Sequence, residues 1–99
     1  MVSRLSTDLD SPGARPYFLW NEDLTAAEFR RRLAGGDEAE RLRLLAILLR
    51  EARDLDVWAF VTPHEVAQAL PQVAHRLGRR RAFWEFLIDG WRRDGILSR

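Results

Sequence analysis

The chain has 99 residues, 46% hydrophobic and 31% charged, with 16 basic residues against 15 acidic ones and no cysteine. All 16 bases are Arg; there is no Lys. This length predicts one domain with a small core. The apolar content excludes a disordered chain, no apolar run approaches the roughly 20 residues of a membrane span, and the missing cysteines exclude disulfides, thiolate catalysis and Cys-ligated zinc.

Residues 1–16 hold Ser3, Ser6, Asp8, Asp10, Ser11, Pro12, Gly13 and Pro16. This turn-rich, polar composition predicts a mobile arm with little to bury. It also lacks an apolar stretch of signal-peptide length, which predicts a cytoplasmic protein. The run Tyr17-Phe18-Leu19-Trp20, bounded by Pro16 and Asn21, is too short for a helix and is expected to lie extended and plug into the core.

Helix starts follow from capping chemistry. Thr25 with Glu28 forms a capping box ahead of a helix over about 26–34, which Gly35-Gly36 is expected to end through a left-handed cap. Asp37 with Glu40 opens the most apolar helix, about 38–53, whose centre Leu44-Leu45-Ala46-Ile47-Leu48-Leu49 is apolar on every face and therefore central. Asp54 and Asp56 read as a break and a new cap before Val57-Trp58-Ala59-Phe60-Val61.

Thr62-Pro63-His64-Glu65 combines an N-cap, a proline at the first helical position and a Glu at the third. Pro71 is expected to cut that helix short, because it removes a backbone donor and crowds the preceding turn. Gly78 closes the segment 72–77. The last helix, about 79–94, carries Phe83, Leu87 and Trp91 at i, i+4 and i+8, with Asp89 placed for an ion pair to Arg93. The sum is an all-α, compact five- or six-helix domain over 17–99, with an extended N-terminal segment and no hairpin signal.

Catalysis needs convergent titratable groups. His64 and His75 are the only imidazoles and are separated by Pro71, a weak spacing for a metal or a general base. The pairs Asp54/Asp56 and Glu38/Glu40 could hold Mg²⁺, but capping accounts for both. Gly35-Gly36 lacks a phosphate-loop ending, and no Lys is present to finish one. No catalytic residue, cofactor or metal site is therefore expected, and the chain reads as a non-enzyme.

Arginine is the remaining signal. Bases and acids number five and five over residues 1–36, four and seven over 37–75, and seven and three over 76–99. Arg79-Arg80-Arg81 opens the last helix, where cations oppose the macrodipole, and Arg92-Arg93 lies near its end. Such a cluster suits either phosphate contact by a helix-turn-helix-like segment between Thr62 and Trp91, or protein contact, since Arg and Trp dominate binding hot spots. The near-neutral total argues against a strong nucleic-acid binder and favours a solvated, partly ion-paired face over that reading.

Pro16-Tyr17-Phe18-Leu19-Trp20-Asn21, Asp23-Leu24-Thr25, Asp56-Val57-Trp58, Val61-Thr62, Glu65-Val66 and Arg81-Ala82-Phe83-Trp84-Glu85 together resemble a group of short bacterial proteins. These are typically encoded immediately upstream of a nucleotidyltransferase of the abortive-infection toxin type. The resemblance spans about residues 15–95, with Asn21 where the family pattern has Asp. It implies an antitoxin or accessory role in antiviral defence, as a partner of that enzyme, a repressor of its own operon on operator DNA, or both. The partner-binding candidates are Tyr17, Phe18, Trp20, Arg79, Arg80, Arg81, Arg92 and Arg93, and a homo-oligomer is compatible with them.

Overall fold

The computed structural model describes residues 5–97. It is an all-α domain, 61% helical, with five α-helices among the described residues and one small parallel strand pair. The helices are α1 (Ala26–Leu33), α2 (Glu38–Glu51), α3 (Asp54–Val57), α4 (Pro63–Val73) and α5 (Arg80–Arg93). Strands β1 (Leu5–Ser6) and β2 (Arg15–Pro16) pair in parallel, with Leu5 opposite Arg15.

Helix α2 is central. Leu44, Leu45, Leu48 and Leu49 are buried, and α1, α4 and α5 all pack on it. The capping boxes at Thr25/Glu28 and Thr62/Glu65 are both complete, and Asp37 accepts from the Glu40 amide. The end of α2 is closed by α5: Trp84 Nε1, in a fully buried ring, donates to the Leu49 carbonyl at 2.8 Å. Arg80 Nη1 donates to the Ala52 carbonyl just beyond it at 3.4 Å. Carbonyls of a last helical turn have no partner within their own helix, so these donors satisfy groups that burial would otherwise leave costly.

Several expectations change. Tyr17–Leu19 is a 3₁₀ turn rather than an extended segment, although Phe18 and Leu19 do enter the core. The stretch before it is not all polar lead. Leu9 is buried, and the Ala14 and Pro12 carbonyls accept from the amides of Ala26 and Ala27, donors that the start of α1 cannot satisfy internally. Residues 1–4 of the expected arm lie outside the described residues.

Gly35 and Gly36 end α1 without a left-handed cap. Positive φ occurs only at Gly78 (55°) and Gly95 (79°) among the described residues. Gly78 does close the segment before α5, as expected. Asp54 and Asp56 do not cap α3, whose N-cap is Arg53 with no side-chain bond.

Pro71 does not shorten α4, which runs on through Val73. The missing proline donor would have bonded the Ala67 carbonyl four residues back. That carbonyl instead accepts from Arg92 Nη2 of α5 at 3.2 Å. The orphan acceptor that should stop the helix is thus supplied from another element.

Candidate partner-binding surface

Trp20 follows the 3₁₀ turn, which places Phe18 and Leu19 inward. Trp20 itself is 58% exposed. Its Nε1 donates to Glu51 Oε1 at 3.4 Å, and Glu51 Oε2 accepts from Arg50 Nε at 2.8 Å. Arg50 reaches on through Nη1 to the Arg76 carbonyl at 3.1 Å. A cavity of about 120 Å³ opens beside the indole, lined by Phe18, Asn21, Glu22, Ile47, Arg50 and Glu51. Small-molecule sites measure roughly 300–1,000 Å³, so this one suits a single inserted side chain.

Tyr17 lies one 3₁₀ turn earlier, half-buried. Its hydroxyl donates to Asp56 Oδ2 at 2.6 Å and accepts from the Arg53 amide at 2.8 Å, while the Arg53 guanidinium sits 5.2 Å from the ring centre. Burial, followed by the Asp56 carboxylate, pushes the Tyr17 hydroxyl above its ordinary value of 10.0. The neighbouring Leu55 is exposed and borders an open hollow with Arg53, Asp54 and Asp56. The end of α2 therefore gathers Tyr17, Trp20, Arg50, Glu51, Arg53, Arg76 and Arg80 at one end of the bundle. Cations there complement the helix dipole, which accounts for part of their concentration.

The expected binding residues divide. Phe18 is 1% exposed and packs edge-on against Phe29 and Phe60, so it is core and not surface. A 3₁₀ turn rotates successive side chains by about 120°, which separates Phe18 from Trp20. Arg80 is spread over Phe83 and Trp84, at 4.9 and 5.8 Å, and Arg81 pairs with Glu85 at 3.1 Å. Arg79 is exposed without an ion pair among the described residues. Arg92 is engaged with Ala67, and Arg93 is exposed beside Gly90 rather than paired with Asp89. Arg50, Arg53, Leu55 and Phe86 escaped the sequence reading, because isolated residues on helices carry no signal of exposure.

His64 and His75 are both exposed. Among the described residues no group of three or more His, Asp or Glu could hold a metal ion, and no helix is long and apolar enough to cross a membrane. Glu38 and Glu40 are engaged by Arg41 and Arg43. The Arg43 guanidinium, and after it that of Arg32, holds the Glu40 carboxyl below its ordinary value. Compared with known proteins, the chain matches no family model, no curated protein and no solved structure.

Proposed function

We propose that this chain is a non-enzymatic, antitoxin-like protein that binds and restrains a nucleotidyltransferase encoded by a neighbouring gene, with Trp20 as the anchor of the contact. The resemblance carried by residues 15–95 supplies the partner. The observation that carries the surface is Trp20: a large indole left 58% exposed, with one long hydrogen bond from its nitrogen to Glu51 at 3.4 Å, and flanked by a side-chain-sized cavity and by Arg50. Trp and Arg side by side form the composition of an interface hot spot.

Co-expression tests the reading. The tagged chain is expected to retain the nucleotidyltransferase through purification and to restore growth to cells expressing it, whereas Trp20→Ala loses both. Absence of a complex with the unaltered chain would overturn it.

A second reading is DNA contact by the basic start of α5. The favouring observation is that Arg76 and Arg79 are exposed with no ion pair among the described residues, at the turn leading into a helix. The exposed Phe86 and Asp89 farther along α5 weigh against it, since a groove-reading face is polar and basic. A gel shift on the upstream promoter at about 0.15 M salt, abolished by Arg79→Gln, would favour it.

A further inference from the structure

The outer face of α5 carries features that the fold does not use. Arg79, Ala82, Phe86, Gly90 and Arg93 recur at helical spacing along one stripe, with Asp89 at its edge. Phe86 is 74% exposed. Gly90 lies inside the helix, where glycine weakens it. Among the described residues a Cβ there would meet only the Arg93 guanidinium, at 3.7 Å, and no packing between them requires the glycine.

The two residues flanking α5 are also charged against its dipole, although Arg92 and Arg93 in its last turn favour it. Arg79 stands at the N-terminus of α5 and Asp94 at its C-terminus, each opposing the helix dipole. Neither they nor Asp89 and Arg93 form an ion pair among the described residues.

We propose that this face binds a second copy of the same chain, with the two α5 helices antiparallel about a two-fold axis. Phe86 of each copy seats on the bare backbone at Gly90 of the other, where it also meets the Arg93 guanidinium face-on. That pairing sets the axis level with residue 88. From the helical rise, Arg79 of one copy then falls within about 5 Å, measured along the axis, of Asp94 of the other.

The large residue, the gap that receives it and the two reversed charges all become complementary in one isologous arrangement. Repeating the contact twice gives two Phe86–Gly90 seats and two Arg79–Asp94 pairs. Because one helix per copy forms it, the interface lies at the low end of stable sizes and dissociates readily.

Sedimentation equilibrium over about 5 to 500 μM, a range that spans weak self-association, tests this. A monomer–dimer equilibrium is expected, and a monomer throughout would overturn the proposal. Phe86→Glu and Gly90→Leu should each weaken the dimer at least tenfold. Phe86 is exposed and a side chain at the half-buried Gly90 would meet only the Arg93 guanidinium among the described residues, so circular dichroism should still show the folded helical chain, and a dimer indifferent to both overturns the assignment.

Arg79→Asp and Asp94→Arg give the sharper readout. Each improves the dipole of its own helix, so thermal stability should hold or rise while dimerisation falls at least fivefold. Combining them should restore the dimer. Failure of the double variant to do so would contradict the antiparallel register.

Discussion

Arg92 Nη2 donates to the Ala67 carbonyl at 3.2 Å, the acceptor that Pro71 deprives of its helical donor. The contact ties α5 to α4 where α4 is weakest. Arg92→Ala should destabilise the chain by about 1.5 kcal/mol, the low end for a hydrogen bond from a charged donor, because Arg92 itself is largely exposed. In a Pro71→Ala background the amide of residue 71 takes over that carbonyl, and the same change should cost less than half as much. Urea midpoints of the four proteins check this double-mutant cycle, and equal costs in both backgrounds would show that the two residues are independent.

Tyr17 joins the first apolar turn to α3 through Asp56 and the Arg53 amide, at 2.6 and 2.8 Å. Tyr17→Phe should cost about 1 kcal/mol, since it removes one hydroxyl and leaves a backbone donor unsatisfied. The hydroxyl is held above 10.0 in the folded chain, so the folded state binds the proton more tightly than the unfolded state. Its contribution is therefore complete below pH 10 and is lost as pH rises through the higher folded value. It is the only tyrosine in the chain, so tyrosinate absorbance reports it alone. The native titration should lie above that of the urea-unfolded chain.

Trp84 fills the space between α2 and α5 and caps the Leu49 carbonyl. Trp84→Phe keeps an aromatic ring but removes both volume and donor, so a loss of about 2 kcal/mol is expected in chemical denaturation. Phe86→Ala, on the exposed side of the same helix, should change monomer stability by less than about 0.5 kcal/mol.

Local chemistry was the legible part of this fold. Thr25/Glu28 and Thr62/Glu65 declare helix starts because a capping box closes within four residues, and the structure contains both boxes. The apolar centre of α2 announces a central helix for the same reason. Pro71 misleads because its compensation comes from Arg92, on another helix.

The arginine run shows the limit at the surface. Three adjacent residues at a helix start leave at about 100° to one another. Arg79 accordingly meets solvent, Arg80 lies over aromatic rings and Arg81 pairs with Glu85. Tyr17, Phe18 and Trp20 are equivalent as a string of aromatics, and only the turn that carries them decides which is core and which is anchor. The Asp89–Arg93 spacing permits an ion pair that the structure does not form, because spacing alone does not fix where two long side chains point.

The most direct test of the proposed contact is an affinity measurement between the purified chain and the purified nucleotidyltransferase, made for the unaltered protein and for Trp20→Ala. Among the described residues the Trp20 side chain is outside the buried core and makes one long hydrogen bond, so the variant should fold as the parent does. The account predicts saturable binding by the parent and at least a tenfold rise in Kd for Trp20→Ala. Equal affinities for the two proteins, or no binding by the parent, would contradict it.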